Sequence, residues 1–415
     1  MSAASFYWSG RRGRIVGELS AFAVAAPGLS SLVASELRAL GIAPRRADLD
    51  GVTFRGSLAD IYNANLCLRT ASRVLVRVTA FHADTFHELE RRAARVAWDR
   101  FIAPGTPVTL RVTCRKSRLY HSDAVEQRVA DAIRRGGGRV ADPGSDTDSA
   151  PRTEPAKRPV VDDDAAGAAQ LLVVRLLHDR CVISLDSSGV LLHKRGYRQE
   201  TAKAPLRETL AAAALMAARW AGQAPLLDPM CGAGTLLIEG AWLARRRAPG
   251  LDRIFAFARW PEFDPAVWET LVSHVRSAES TAARPLIVGS DRDAGAITAA
   301  MHNAERAGVA ADIEFSQRPL SAVEPPTGPG WLVTNPPYGV RVGSKDRLRA
   351  LYAELGHVAR TKCRGWTIGI LSADRRLAAA ANLAFETTLR TTNGGIPVAL
   401  LVADTEPSPP PSFPR

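Results

Sequence analysis

Residues 225–241 read PLLDPMCGAGTLLIEGA, and this stretch decides the fold. A short apolar run ends at Asp228, Gly232 and Gly234 allow a tight turn, and Thr235 begins a segment typical of a helix. A strand followed by a glycine loop and a helix brings backbone N–H groups against a bound ligand. A close strand-to-helix turn without a ligand has the same pattern, so the loop alone does not establish a binding site.

The carboxylate before the loop narrows the choice of ligand. A dinucleotide-binding loop has a third glycine, which is missing here. Asp228 would repel a pyrophosphate, whereas its negative charge suits a ligand that carries an ammonium group. The sequence therefore favours a ligand other than a dinucleotide.

The chain from residue 205 onward repeats the alternation of helix and apolar strand. Apolar segments predict strands at PLLDPM, PLIVGSD, DIEFS, WLVTNPP, WTIGILSA and PVALLVA, with helical patterns between most of them. Strands that are apolar on both faces and alternate with helices indicate a doubly wound, Rossmann-like sheet. The fold class predicted for this half is therefore α/β.

A second strand also ends in an acid. PLIVGSD ends at Asp291, and an acidic residue at this place commonly binds ribose hydroxyls. The gap after Asp228 is longer than the usual ~20 residues, and the excess, residues 245–277, is rich in arginine and aromatic residues. This segment either grips RNA by stacking and charge or packs as a flap over the sheet, and packing is the preferred interpretation.

The third strand end lies in WLVTNPPYGVR, residues 331–341. The two prolines stop the strand and stiffen the turn. Such a turn suits the alkylation of an exocyclic amine on a flat base. The Asn335 side-chain oxygen and the Pro336 carbonyl can accept the two N–H groups of the amine, and Tyr338 can stack on the ring. Since the carboxyl ends of parallel strands share one edge of a sheet, we expect this turn beside the two acidic strand ends.

The first 190 residues form a strand-rich α+β half in which arginines are frequent. FAVAA (22–26) predicts a strand, the helix after it closes at Gly41, and Ser122 is the expected N-cap of a later helix. Residues 136–168 lack periodicity and predict a long flexible loop. The two ends of the chain are a basic extension (1–17) and a proline-rich tail (405–415).

Composition and charge favour a polyanionic partner and a reducing compartment. The chain has 415 residues, 46% of them hydrophobic, and a formal net charge of +12. This surplus favours nucleic acid, although genomic base bias also contributes. Five scattered cysteines without a CxxC pair and eight histidines without ligand spacing favour a cytoplasmic protein with no disulfide framework and no metal site. No apolar stretch is long enough to cross a bilayer, so we expect no membrane partner.

The motifs in series resemble a known family. The DPMCGAGT loop, the acid at the end of the second strand and the NPPY turn, in this order, are similar to those of class I S-adenosylmethionine-dependent amino-methyltransferases. More narrowly, LLHKRGYR, APLRETLAAA, LLDPMCGAGTLLIEGA, APGL, GSDRD and NPPYGVR resemble the THUMP-domain RNA guanine-N2 methyltransferases, and most of all the bacterial ones that act on 23S rRNA. The match runs from about residue 18 to residue 404.

This resemblance implies a division into domains and a reaction. Residues 18–75 would be a ferredoxin-like domain, residues 76–188 a THUMP domain that binds structured RNA, and residues 200–404 the class I methyltransferase domain. The implied reaction transfers a methyl group from S-adenosylmethionine to the exocyclic N2 of a guanine. The implied substrate is large-subunit rRNA, with tRNA as the alternative.

The resemblance also implies roles for single residues. The cofactor would be bound by the glycine loop, the two acidic strand ends and the segment before the first strand, namely Asp228, Gly232, Gly234, Asp291 and Glu208. The target base would be bound by Asn335, Pro336 and Tyr338. Pro319 departs from the family, whose members usually have an acid there that contacts the adenine amino group. We therefore expect backbone groups to recognise the adenine.

Other functions share the NPPY chemistry or the fold. They are a DNA adenine-N6 methyltransferase, a protein glutamine methyltransferase and an RNA-binding factor with a degenerate catalytic domain. The basic, strand-rich first half disfavours the first two, because the protein enzyme needs no domain that binds a polyanion. The intact Asn335 and Tyr338 disfavour a degenerate enzyme, whereas Pro319 favours one.

Overall fold

The computed structural model describes residues 17–140, 169–200, 206–280, 285–338 and 345–406. Most of the predicted extension (1–17), loop (136–168) and tail (405–415) therefore lies outside the described residues. Within the predicted loop, Arg139–Val140 form a short strand that pairs with residues 107–108. The loop prediction is wrong for these two residues, because a parallel neighbour takes up their backbone hydrogen bonds.

Eight strands form one continuous sheet in the N-terminal half. They are β1 (Leu19–Ala25), β2 (Pro44–Asp48), β3 (Gly51–Gly56), β4 (Ala71–His82), β5 (Pro107–Arg115), β6 (Arg139–Val140), β7 (Gln170–Leu177) and β8 (Arg180–Asp186). Their order across the sheet is β2-β3-β1-β4-β8-β7-β5-β6. The antiparallel pairing of β4 with β8 thus joins the predicted ferredoxin-like and THUMP regions in a single sheet.

Helices α1 (Ser30–Ala39), α2 (Leu58–Cys67) and α4 (Ser122–Arg135) pack against this sheet, and α3 (Phe86–Ala93) packs on α4. Alternate strand residues such as Ala23, Val74, Val174 and Ile183 are fully buried in the core. Because the side chains of a strand alternate between its two faces, one face of the sheet is apolar and covered.

Two predictions about helix ends had different outcomes. Helix α1 ends at Ala39, and Gly41 has a φ of 75°, which confirms the predicted closure. Ser122 is the first residue of α4 rather than its N-cap, so that prediction is wrong by one residue. His121 holds the N-cap position without a side-chain bond, and the Ser122 hydroxyl donates to the Asp123 carboxylate at 3.3 Å.

The second face of the N-terminal sheet carries partly exposed arginines. The Arg77 guanidinium lies 5.5 Å from the centre of the Phe22 ring. By register, Arg175, Arg180 and Arg46 project from neighbouring strands on the same face. Partial burial lowers the pKa of Arg77, and the positive charges of these three arginines lower it further. Asp48 and Asp50 offset part of this charge, because they pair with Arg46 at 2.7 Å and with Arg175 at 3.3 Å. The four arginines outnumber these two carboxylates, and this side of the sheet is here called the arginine face.

Seven strands form the C-terminal sheet: β9 (Leu226–Asp228), β10 (Ile287–Asp291), β11 (Ile313–Gln317), β12 (Trp331–Thr334), β13 (Thr367–Ser372), β14 (Glu386–Asn393) and β15 (Ile396–Asp404). The helices of this half are α5 (Glu208–Ala217), α6 (Thr235–Ala244), α7 (Pro265–Ser277), α8 (Ala294–Arg306), α9 (Lys345–Lys362) and α10 (Arg375–Ala379). None of the described helices is both long and apolar enough to cross a membrane.

The strand order β11-β10-β9-β12-β13-β15-β14 confirms the predicted doubly wound sheet. Strands β9 to β13 run parallel, and β15 and β14 add an antiparallel hairpin at one edge. Strand β14 was not predicted, because its sequence ETTLRTTN has no apolar run. The predicted elements of this half otherwise occur in the predicted order.

Residues 245–277, the arginine-rich and aromatic segment after β9, pack between the two halves. The Phe257 ring stacks on Tyr62 of α2 with the ring centres 4.4 Å apart. The Trp260 indole N–H donates to the Gln170 side chain at 2.9 Å. Phe257 and Trp260 are buried, so they cannot stack on RNA bases. The packing interpretation is therefore confirmed for these two residues, although the surface they cover belongs to the N-terminal half.

A buried ion pair fastens residues 187–200, which follow β8 and are here called the connecting segment, to α6. Arg195 and Glu239 have side chains that are 1% and 0% exposed, and their closest N···O distance is 3.1 Å. Arg195 also donates to the Arg69 carbonyl in the N-terminal half, at 2.8 Å, and the Tyr197 hydroxyl donates to Glu239 at 3.1 Å. One guanidinium thus links both halves and the connecting segment.

The turn after β1 contacts the edge hairpin of the C-terminal sheet. Gly28 has a φ of 82°, a conformation that favours glycine. A Cβ at this position would overlap the carbonyl oxygen of Arg390 in β14. The first turn of the N-terminal half therefore lies directly against the hairpin.

Candidate active site

The carboxyl ends of β9, β10 and β12 lie at one edge of the C-terminal sheet. Strand β9 lies between β10 and β12, and the strand order reverses there, which opens a crevice. Asp228 ends β9, Asp291 ends β10 and Asn335 directly follows β12. The structure therefore brings these three predicted residues to one edge of the sheet.

Asp228 is buried at the floor of this crevice, where it is 3% exposed. Its Oδ1 accepts hydrogen bonds from the Thr334 hydroxyl at 2.7 Å and from the Met230 N–H at 3.1 Å. The pKa of Asp228 is raised to about 7, mainly by burial and also by the nearby charge of Asp291, while the two hydrogen bonds oppose the shift. Near neutral pH the carboxyl can therefore gain or lose its proton readily.

The glycine loop folds back onto Asp291. The Gly232 N–H donates to Asp291 Oδ2 at 3.0 Å, and the Asp293 N–H donates to Oδ1 at 3.0 Å. Gly234 has a φ of 80°, and a Cβ there would lie 3.0 Å from the Ala300 Cβ in α8. Because α6 begins at the next residue, its first N–H groups point toward the crevice.

The turn at residues 335–338 holds an unpaired buried acceptor. Asn335 Oδ1 is buried and has no hydrogen-bond partner among the described residues. Pro336 is buried and Tyr338 is half-buried, and the Tyr338 hydroxyl accepts a hydrogen bond from Asn393 Nδ2 at 2.8 Å. A buried amide oxygen without a donor is costly, so it points to a ligand that supplies one.

Glu208 lies at the first position of α5 in a buried, bidentate ion pair. Arg198 donates to both carboxylate oxygens, at 2.9 and 3.1 Å. Burial raises the pKa of Glu208, against the opposing charge of Arg198. Glu208 is thus paired with a residue of the connecting segment. The contact of Glu208 with the cofactor stays a prediction.

The structure shows one contributor to this region that the sequence did not predict. The Asn303 amide, on α8, donates to the Ala233 carbonyl in the glycine loop at 3.1 Å and to the Glu200 carbonyl at 3.0 Å. It therefore ties the connecting segment to the loop. No local pattern reveals this role, because both contacts are distant in sequence.

Pro319 lies beside Asp291 at the start of a short 3-10 turn, Leu320–Ala322. The preceding N–H, of Arg318, donates to the Asp291 carbonyl at 3.0 Å. Recognition of an adenine by backbone groups stays a prediction.

Comparisons with known proteins assign the chain to a family. The model of the RMKL-like methyltransferase domain matches residues 195–400, the RlmL ferredoxin-like domain matches residues 20–75, and the THUMP domain matches residues 83–150. A Synechocystis protein named "Putative RNA methyltransferase slr0064" is 32% identical over 381 residues, which cover 92% of this chain and 95% of that protein. The chain belongs to the RMKL-like methyltransferase family. The predicted resemblance, fold class and enzyme class are thereby confirmed.

One further relative and one solved structure are similar to this RMKL-like chain over most of its length. "Ribosomal RNA large subunit methyltransferase K/L" of Syntrophotalea carbinolica is 36% identical over 394 residues, which cover 92% of this chain and 53% of that protein. The chain thus spans about half the length of this relative. The crystal structure of "SMU.472, a putative methyltransferase complexed with SAH" superimposes with a TM-score of 0.80 at 27% identity, and covers 94% of this chain and 99% of that one.

Proposed function

We propose that the chain transfers a methyl group from S-adenosylmethionine to the exocyclic N2 of a guanine in large-subunit rRNA. The observation that carries the proposal is the buried Asn335 Oδ1 beside the crevice, which has no hydrogen-bond partner in the described part of the chain. The relative named a large-subunit rRNA methyltransferase supports the choice of RNA, and the net charge of +12 suits a polyanion.

The residues of the crevice fit S-adenosylmethionine. Asp228 offers a carboxylate to the ammonium group of the methionine end. Gly232 and Gly234 have φ angles of 52° and 80°, so glycine suits both positions of the tight loop. Asp291, which is partly exposed, is placed to meet the ribose hydroxyls. The methyl group of this cofactor is carried by a sulfonium, a good leaving group, so transfer needs mainly alignment.

The turn at residues 335–338 prepares the guanine amine for attack. The N2 lone pair is delocalised into the ring, so the amine is a weak nucleophile. Asn335 Oδ1 and the Pro336 carbonyl accept its two N–H groups and favour a pyramidal nitrogen. Tyr338 stacks on the base and stabilises the positive charge that develops as the N–C bond forms and the C–S bond breaks. The nitrogen then loses one proton to water.

Nucleoside mass spectrometry of rRNA and tRNA from cells that lack the protein tests this function. We expect one N2-methylguanosine to disappear from 23S rRNA and to return when the purified chain and S-adenosylmethionine are added to that RNA. Loss from tRNA instead would support the tRNA enzyme. Unchanged N2-methylguanosine in both RNAs would rule the proposal out.

Cofactor affinity is expected to rise with pH up to about pH 7. Burial raises the pKa of Asp228 to about 7 from its ordinary 3.8, so the folded protein binds a proton that the unfolded chain releases. Stability from this group is therefore present below about pH 3.8 and lost as the pH rises through about 7. A ligand ammonium group needs the ionised carboxylate, so the Kd of S-adenosylhomocysteine should fall by up to about tenfold per pH unit below this value.

Isothermal titration calorimetry between pH 5.5 and 8.5 measures this dependence. Asp228→Asn serves as the control, because it keeps the shape of the side chain and removes its titratable carboxyl group. Its affinity should be weak and independent of pH. A wild-type Kd that stays constant over this range would contradict the role given to Asp228.

RNA binding is expected to weaken steeply with salt through the arginine face. A protein that neutralises phosphates releases counterions, so log K falls as log salt rises. Each lost phosphate contact makes this negative slope less steep by about one. We expect this change for Arg77→Ala, Arg175→Ala and Arg180→Ala. Arg364→Ala, exposed at the amino-terminal end of β13, is the control. Fluorescence anisotropy with an rRNA fragment measures the slopes, and equal slopes in all four variants would exclude this face.

We also propose the domain division 18–75, 76–188 and 200–404 and a cytoplasmic location. The first and third parts are supported by the matches at residues 20–75 and 195–400, whereas the THUMP match covers residues 83–150 of the second part. The first two parts share one sheet. The five cysteines are all unpaired thiols, which suits a reducing compartment.

A further inference from the structure

Tyr338 is held by a residue that lies outside the NPPY turn. Its hydroxyl accepts a 2.8 Å hydrogen bond from the side-chain amide of Asn393, the last residue of β14. The prolines fix the backbone before Tyr338, but they leave its side-chain torsions free. The hydrogen bond from Asn393 to the Tyr338 hydroxyl therefore restrains the orientation of the ring, which the backbone of the turn does not.

The hairpin is built so that Asn393 can make this contact. A two-residue turn, Gly394–Gly395, joins β14 to β15, and both glycines have positive φ angles of 57° and 84°. Such a turn commonly has asparagine inside it. Here the glycines take both positive φ positions, so Asn393 stays in the strand, paired with Ile396. Its side chain is thereby free to reach Tyr338.

The hairpin is also a firm support. Strand β15 pairs with β13 on one side and with β14 on the other. Leu389 and Leu400, a paired couple on the two strands, are 6% and 0% exposed. Asn393 is therefore anchored to the same sheet whose carboxyl edge holds Asp228 and Asn335.

We infer that Asn393 is a positioning residue for methyl transfer, because it fixes the Tyr338 hydroxyl and with it the tilt of the ring against the target base. The inference rests on the proposed function, in which Tyr338 stacks on that base. It adds a residue from the edge hairpin to the site. Burial raises the pKa of Tyr338, and the Asn393 amide opposes this shift, as a donor to the phenol oxygen does.

A double-mutant cycle tests the inference. Asn393→Ala and Tyr338→Phe each remove the hydrogen bond and keep the ring, so each should lower kcat by about tenfold, with the cofactor Kd unchanged. The double variant should be no worse than either single one. Asn393→Asp, which can accept the phenol proton, should recover most of the activity. Thr392→Ala, on the neighbouring position of β14, controls for a weakened hairpin and should retain wild-type kcat.

Two results would overturn the inference: wild-type kcat in Asn393→Ala, or additive losses of about a hundredfold in the double variant. A second measurement does not depend on activity. In protein labelled at the tyrosine Cζ, the Tyr338 NMR signal is identified among the six tyrosines by its loss in Tyr338→Phe. Its pKa should rise in Asn393→Ala, and an unmoved pKa would show that the hydrogen bond is absent in solution.

Failure of the proposed function has a different signature. If the wild-type chain leaves rRNA guanine unmodified, the substrate is wrong, and the cycle is run on the acceptor that nucleoside analysis identifies. A raised Tyr338 pKa together with unchanged kcat on that acceptor would retain the hydrogen bond and reject its role in positioning.

Discussion

Asn335→Ala is expected to lower kcat for methyl transfer by about 10²- to 10³-fold, with cofactor and RNA affinity within about threefold of wild type. The side-chain oxygen is buried and unpaired among the described residues. In the proposed reaction it accepts an N–H that becomes more acidic as the nitrogen is alkylated. Its interaction is therefore stronger in the transition state than in the bound substrate, and its loss falls on kcat.

Single-turnover kinetics with radiolabelled cofactor measure this loss. Gln223→Ala is the matched control, since it truncates an exposed amide just before β9, at the opposite end of the strand from Asp228. Asn335→Asp keeps an acceptor oxygen and should lose less than the alanine variant. Turnover near wild type in Asn335→Ala would show that the base is activated elsewhere.

Glu239→Ala is expected to lower the free energy of unfolding by about 3–5 kcal/mol. Both partners of the Arg195–Glu239 pair are almost fully buried, so the substitution leaves a guanidinium without its counter-ion. The Tyr197 hydroxyl loses its acceptor as well. Urea denaturation followed by tryptophan fluorescence measures the loss.

Two variants make this stability test specific. Glu269→Ala removes an exposed carboxylate on α7 and should cost under about 0.5 kcal/mol. Adding Arg195→Met to Glu239→Ala should recover part of the loss, because the unpaired buried charge is then gone. If Glu239→Ala were as stable as Glu269→Ala, the ion pair would not fasten the two halves in solution.

The strand ends of the site could be predicted because each follows a buried, parallel strand. Such strands are apolar throughout, so the polar residue that ends one is conspicuous in the sequence, as Asp228, Asp291 and Asn335 are. The turn with two prolines after the third strand also indicated the reaction, which is the alkylation of an exocyclic amine. The local sequence pattern was therefore sufficient to predict the edge of the sheet on which the site lies.

The supports of the site could not be predicted, because they depend on contacts distant in sequence. Asn303 meets the glycine loop 70 positions away, and Asn393 meets Tyr338 55 positions away. Strand β14 is polar because it forms the edge of the sheet, and it lacks the apolar run that marks a buried strand. The pairing of β4 with β8, which merges two predicted domains, likewise leaves no local signal.

The contact between Gly28 and Arg390 sets an order for assembly during synthesis. The β1 turn emerges early from the ribosome, whereas its partner strand β14 follows after most of the described chain has been made. Tyr338 gains its support only when the hairpin closes against both the sheet and this turn. The hairpin that holds Tyr338 can therefore pack against the β1 turn only after translation has passed residue 404.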